Sequence, residues 1–419
     1  MSLVALGRVL LIIIILELSL GGGGRLIDTG PVSPRMVLFG LGLIYTAVVL
    51  FHRFPVPREF AFLTVVFVAL TSISALMSTL ENQPVLAALS DFKPLAYFLL
   101  LPFFALTIRS VNNVLLVGRV LKYSALTLAV SYLIVLAIWK SGLVSTMQMY
   151  EWLNPAHSAQ AEFLFRGDTT FFFKAVLYVG VGVFFFAVAE KNLVKKSTAL
   201  LLLLLAIALT MTRGMWLSVF MILAAWTFYC QTDRLKGTVF AAGLLLVGVI
   251  GVVWVNETLA SAAQSNAIRM NDMSAPTMLF GRGFGATIAG REAIEITYAN
   301  ILIKQGIAGI VFWFLPAVYL LMRMRVIRDA FLRSLAILYF MAAAFVYVVS
   351  FTNPFLTNPI GMAVVMIAMV AVRVIGCSDD ARRSAPAPVP GEPVGAIRHH
   401  SGSGSVPISP VSVEEKVWQ

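Results

Sequence analysis

Apolar residues in this chain arrive in long unbroken runs, without the regular polar interruptions that mark the solvent-facing side of a surface helix. A run of roughly 20 such residues is what a helix needs to cross the hydrocarbon of a bilayer. Segments that qualify are 3–20, 34–51, 59–77, 92–108, 113–139, 170–189, 197–211, 214–230, 238–255, 295–322, 334–351 and 359–375. The pattern predicts an all-α polytopic membrane protein with about twelve transmembrane helices. The first run carries Glu17 and lacks a small-residue cleavage site, so it reads as a retained helix and not as a removed signal peptide.

Residues 1–377 thus form one transmembrane domain, with two long loops at about 140–169 and 256–294. Both loops contain aromatic and apolar residues, as expected of folded segments that cap a cavity. Residues 378–419 are rich in Pro, Ser and Gly (Ala385-Pro386-Ala387-Pro388, Ser401-Gly402-Ser403-Gly404-Ser405) and read as a disordered tail dispensable for chemistry.

Composition agrees with the pattern. With 59% hydrophobic and 12% charged residues and a mean hydropathy of +0.90, a soluble fold of this size could not cover its apolar surface. The net charge of +11 follows from the positive-inside rule. Lys and Arg collect in alternate loops: Arg53 and Arg58; Arg109, Arg119 and Lys122; Lys191, Lys195 and Lys196; Arg234 and Lys236; Arg323, Arg325, Arg328 and Arg333; Arg373, Arg382 and Arg383. These loops are cytoplasmic on that rule, which places both termini in the cytoplasm and the two long loops outside, in the periplasm of a bacterial inner membrane. No basic run interleaved with aromatics lies outside the membrane, so nucleic acid is excluded as a partner. Cys230 and Cys377 both fall on the cytoplasmic side, where no structural disulfide is expected.

Some arginines break the charge rule. Arg166, Arg213, Arg269, Arg282 and Arg291 sit at the outer face, four of them in or beside the long loops and Arg213 at a helix junction. One arginine at a helix end can simply snorkel to the headgroups. Five on one face point to an anionic, phosphate-bearing lipid substrate, because guanidinium keeps its charge and grips phosphate with two parallel donors. Between them lies Leu279-Phe280-Gly281-Arg282-Gly283-Phe284-Gly285. No strand precedes it, so it is no dinucleotide fingerprint; Gly283 and Gly285 suit a re-entrant turn where backbone approaches a ligand. Arg291 and Glu295 are four apart, share a helical face with Tyr298, and leave two readings of Glu295: a capping charge at a helix N-terminus, or a general base. His157 reads as a surface loop residue, and Asn353-Pro354 and Asn358-Pro359 either shape a cavity or break the helix.

Thr212-Arg213-Gly214-Met215-Trp216 resembles the Ser/Thr-Arg-Gly-aromatic motif of the O-antigen polymerase and ligase superfamily, the Wzy- and WaaL-type proteins. Arg269 followed by 279–285 is similar to that family's arginine and Phe-Gly-x-Gly stretch. Glu295-x-x-Tyr298 with Gly306-Ile307-Ala308-Gly309 looks like the helix that follows its large periplasmic loop. The resemblance covers roughly residues 163–309. It implies a fold related to lipid-dependent glycosyltransferases and a polyprenyl-diphosphate-linked glycan as donor and acceptor, used at the periplasmic face without metal or other cofactor. Membrane lipids and a chain-length regulator are the further partners it implies. Arg269 and Arg213 would hold the diphosphate, with Glu295 as base; Arg166, Arg282, Arg291, Tyr298, Gly283 and Gly285 would bind substrate. Ligases carry His-Asn where this chain has Glu295-Ile296, which favours polymerisation of repeat units over transfer of glycan to a lipid A–core sugar. A transporter or flippase of a lipid-linked anionic glycan would also explain outer arginines, but it calls for inverted repeats and midplane charges, and the sequence has no symmetry between halves.

Overall fold

The computed structural model describes residues 2–22, 32–52, 54–153, 163–166, 169–231, 234–258, 275–287 and 296–384. Helices dominate: α1 (Leu3–Leu20), α2 (Pro34–Phe51), α3 (Arg58–Leu80), α4 (Val85–Leu95), which continues through a 3-10 turn at Ala96–Leu100 into α5 (Leu101–Thr107), and α6 (Val111–Lys140). A short α7 (Thr146–Leu153) and a two-stranded hairpin, β1 (Phe163–Arg166) and β2 (Thr170–Phe173), precede α8 (Val176–Ala189), α9 (Leu193–Leu209), α10 (Arg213–Cys230) and α11 (Arg234–Thr258). The remainder is α12 (Ala275–Phe280), α13 (Thr297–Val326), α14 (Ala330–Val349) and α15 (Pro359–Ser384). Among the described residues nine helical stretches are long and apolar enough to cross a membrane, with α4 to α5 counted as one; α8 and the Leu235–Ile250 part of α11 are shorter. The chain is an all-α polytopic membrane protein.

Side-chain caps fix several of these starts. Ser33, Ser110, Asn192 and Asp329 each accept a backbone N–H from the first turn of α2, α6, α9 and α14, and Pro34 supplies the preset φ of a first helical residue. The interior is built around α15, buried along 89% of its apolar window, and α8, nearly every residue of which is buried. A helix without a polar face belongs in the middle of a bundle, and the sequence of α8 has none.

Two boundaries differ from the sequence expectation. The sixth apolar run does not begin as helix: residues 170–173 are β2, paired antiparallel with β1 from Phe163↔Phe173 to Arg166↔Thr170. Three consecutive phenylalanines favour a pleated surface where cross-strand rings can meet, and Phe171 lies 5.8 Å from both Phe163 and Phe165. At the other end of the chain the expected tail starts at 378, but α15 continues to Ser384. Asp379 accepts the N–H groups of Arg328 and Asp329 and pairs with Arg383 one turn on, which fastens the extra turns to the α13–α14 connection. Residues 385–419 lie outside the described residues.

Successive long helices alternate in direction, so the bundle has two ends. The base carries the first residue of α1, near the end of α2 through the Tyr45 hydroxyl on the Leu3 carbonyl, and the ion pairs of Glu59 with Arg373 and Arg323. The head carries the hairpin, the α9–α10 turn, the segment 281–287, the start of α13 and the loop 350–358. Both ends of the described chain lie at the base.

Candidate functional site

The head is held together from one side to the other by polar contacts. At one side, Met211 takes a left-handed conformation (φ 52°) in the sharp turn between α9 and α10, and its carbonyl accepts a hydrogen bond from the Arg166 guanidinium of the hairpin. Arg166 also lies over the Phe172 ring at 5.9 Å. Arg213 is the first residue of α10. A helix N-terminus already presents positive potential, so a cation there is placed against the helix dipole, and the two together form an attractor for an anion. Arg166 and Arg213, read from different parts of the sequence, therefore meet at one turn.

The next residue, Gly214, lets α10 abut the loop that follows α14: a Cβ there would overlap the Thr352 hydroxyl. The same loop receives α13, because the Thr297 N–H donates to the Ser350 carbonyl at 3.2 Å and its hydroxyl to the Asn353 carbonyl at 2.9 Å. Asn353-Pro354 and Asn358-Pro359 thus bracket a loop to which α10 and α13 are both fastened. Tyr298, one residue into α13, donates its hydroxyl to the Tyr347 carbonyl at 2.8 Å and stacks on Phe314, so it couples α13 to α14.

Across the head lies the glycine turn. Gly281, Gly283 and Gly285 all have φ near +80°, open to glycine at little cost. The turn is threaded between helices, and the backbone that its glycines bring close is that of α3 and α13, where the sequence suggests a ligand. A Cβ at Gly283 would overlap the backbone of Met77 and Ser78 in α3, and one at Gly281 would stand 2.5 Å from the Gln305 nitrogen. On the α13 side, Gly306 breaks the helix (φ 66°, ψ −162°). Breaking a helix leaves carbonyls upstream without their usual N–H donors, and the Ile303 carbonyl accepts from the Arg282 N–H at 2.7 Å. The Ser78 hydroxyl donates to the Phe284 carbonyl at 2.7 Å.

Two residues that sequence reasoning missed complete the turn. Asp91 of α4 accepts the Gly285 N–H at 2.7 Å with one oxygen and the Lys304 ammonium at 2.7 Å with the other. Both side chains are largely buried, at 18% and 8% exposure, where an unpaired charge would be costly. The signal was present: Lys304 is a lone cation deep in an apolar run, and an ionisable group in a membrane helix is a functional candidate by default.

Phe284 stands between two hollows. A groove of about 690 Å³ runs along α3 and α4, with Thr71, Ser72, Ser78, Thr79, Asn82 and Gln83 among otherwise apolar walls. A smaller cavity of about 170 Å³ is lined by Asp91, Asn300, Lys304, Gln305, Thr357 and Asn358 together with Pro94, Leu95 and Pro354. Of the sequence-derived candidates, Arg166 and Arg213 come together, Arg282, Gly283 and Gly285 form the turn, and Tyr298 lies between. Neither hollow has an arginine of the outer set in its wall. Arg269, Arg291 and Glu295 lie outside the described residues. Among the described residues no three of His, Cys, Asp and Glu gather as a metal site would require.

No family model matches the chain. Over 387 residues it is 27% identical to the O-antigen polymerase of Shigella flexneri, an alignment that takes in 88% of this chain and 95% of that protein. The likeness runs along most of both chains, so on its scaffold of membrane helices this chain is similar to an O-antigen polymerase over nearly its whole length.

Proposed function

We propose that this chain is a polymerising glycosyltransferase that joins polyprenyl-diphosphate-linked oligosaccharide repeat units into O-antigen-type polysaccharide, working at the head of the bundle, which faces the periplasm. The observation that carries the reading is the continuous polar head: an arginine pair at the N-terminus of α10 leads through the 350–358 loop to a buried aspartate–lysine pair, beside a groove among apolar helices. A substrate with a long apolar tail, a charged linkage and a sugar end has a matching surface for each part. The base-end clustering of Arg323, Arg325, Arg328, Arg333, Arg373, Arg382 and Arg383 supports a cytoplasmic base under the positive-inside rule.

In this reading an acceptor sugar hydroxyl attacks the anomeric carbon of the donor. The new carbon–oxygen bond forms as the bond to the diphosphate breaks, and the anomeric centre inverts. Arg213 and Arg269, helped by Arg166, Arg282 and Arg291, neutralise the charge that develops on the diphosphate, the kind of stabilisation that amounts to several kcal/mol in a site kept from water. Glu295 takes the hydroxyl proton, a contribution of about 10²–10⁴-fold for a well-placed base. The activated donor supplies the energy, so no nucleotide enters. A chain-length regulator would act on the same polymer.

The test is the surface glycan of a strain lacking this chain. Polymerisation predicts lipid anchors carrying one repeat unit; long polymer left unattached would mean a ligase, and an unchanged profile would remove the enzyme altogether. Complementation with Arg269→Ala, Arg213→Ala or Glu295→Gln should restore folded protein in the membrane but little polymer. Normal polymer from both Arg269→Ala and Glu295→Gln would refute the assigned roles.

A further inference from the structure

The smaller cavity beside Phe284 has a chemistry of its own. Its charged wall is not suited to phosphate, because the Asp91 carboxylate would repel an anion and already neutralises the Lys304 ammonium at 2.7 Å. A cation is equally unsuited, with that ammonium beside the carboxylate. An acyl or prenyl chain would lay hydrocarbon along the polar wall formed by Asp91, Asn300, Thr357 and Asn358, a poorer match than a ligand that can hydrogen-bond. What remains is a neutral ligand with hydroxyl groups around its edge and carbon–hydrogen faces above and below.

We infer that this cavity is a subsite for a single uncharged sugar ring of the glycan, held by Asp91; the inference rests on the polymerase reading and names where its sugar end sits. A cavity of about 170 Å³ has room for several waters and is on the scale of one pyranose ring. Asp91 spends one oxygen on Lys304 and the other on the Gly285 N–H, and a carboxylate has acceptor positions for about four donors. It can therefore take sugar hydroxyls without releasing either partner, and both partners fix its orientation beforehand. Phe284 offers an aromatic wall to the ring's apolar face and forms part of the adjoining groove as well, so a sugar bound here stands next to the place where a lipid tail would lie. Asp91 binds in this scheme; the proton of the reaction goes to Glu295.

The experiment uses the full chain in lipid nanodiscs, with lipid-linked repeat units extracted from the strain that lacks it as substrate. Thr357→Trp fills the cavity from the 350–358 loop and leaves the contacts of Asp91 in place. It should raise KM about tenfold or more with kcat little changed, the effect expected when hydrogen bonds to a charged group are denied to a ligand, and its melting temperature should match the wild type. Asp91→Asn should move KM in the same direction. Wild-type KM in Thr357→Trp overturns the subsite, even if Asp91→Asn is inactive, because Asp91 would then matter only for folding the turn. Arg213→Ala in the same assay separates the two claims: its inactivity beside an unaffected Thr357→Trp sinks the subsite alone, and full activity in both sinks the polymerase reading with it.

Discussion

A methyl group at Gly283 would run into the backbone of Ser78 and Met77, and at φ +82° it would also sit in the conformation that L-residues avoid. The conformational penalty alone is about 1–2 kcal/mol, and backbone atoms cannot swing aside as a side chain could. Gly283→Ala should therefore lower the melting temperature in detergent and abolish polymer. Gly285→Ala, whose Cβ would meet its nearest backbone atom at 3.0 Å, should be milder on both counts. Equal behaviour of the two variants would mean that the turn is not threaded against α3 as described. The glycines could be read from the sequence because three at alternate positions call for a special backbone, and Arg213 because it defies the charge rule. Asp91 and Lys304 could not be joined in advance. They are 213 positions apart, Asp91 at the edge of one apolar run and Lys304 inside another, and only folding brings them to 2.7 Å.

At the scale of elements, the hydropathy of residues 170–189 shows one apolar run, yet the structure divides it into β2 and α8. Apolar runs do not distinguish strand from helix by themselves, and here the deciding partner, β1, lies in a loop region whose pairing no periodicity announces. The helices themselves were plain from the sequence because each must satisfy its own backbone in lipid. Their fastening was not. Near the base, Lys122 of α6 reaches Glu190, just past α8, at 2.5 Å, and the lysine is 1% exposed. Burial alone would raise the Glu190 carboxyl, but the hydrogen bond from Lys122, the Asn192 N–H and the charges of Lys122 and Lys195 outweigh it and hold the group below its ordinary value. Glu190→Gln leaves a buried ammonium without its counter-charge and should cost on the order of 3–5 kcal/mol, seen as a lower unfolding midpoint. The sign of the pH dependence follows from the lowered value. The pair's contribution is complete above the unfolded-state pKa, and it is lost as pH falls through the folded one, so the difference in melting temperature between wild type and Glu190→Gln should narrow in acid.

For the molecule as a whole, alternation of the helices places the base and the head on opposite sides of the membrane, and the distribution of Lys and Arg assigns the base to the cytoplasm in our reading. Cys230 and Cys377 are exposed, and both belong to the base. In spheroplasts, a maleimide that cannot cross the inner membrane should leave both unlabelled until the membrane is opened, whereas Ser145→Cys, in the exposed connection after α6, should react at once. The reverse pattern would invert the orientation and place the arginines on the wrong side for a periplasmic reaction. Residue counts propose an orientation of this kind; they say nothing of which loops meet, since a hydropathy profile carries no information on neighbours in the plane.

The stitch between Arg282 and Ile303 has a consequence for engineering. Where a loop merely sits on top of a bundle, it can be exchanged between relatives as a cassette. Here the carbonyl that receives the loop exists only because Gly306 interrupts the helix downstream, and the hydroxyl that steadies the loop comes from Ser78, more than two hundred residues upstream. A chimera built to transplant this loop from an O-antigen polymerase would have to carry all three pieces together, and grafts cut at the visible ends of the loop should yield protein that inserts and does not work.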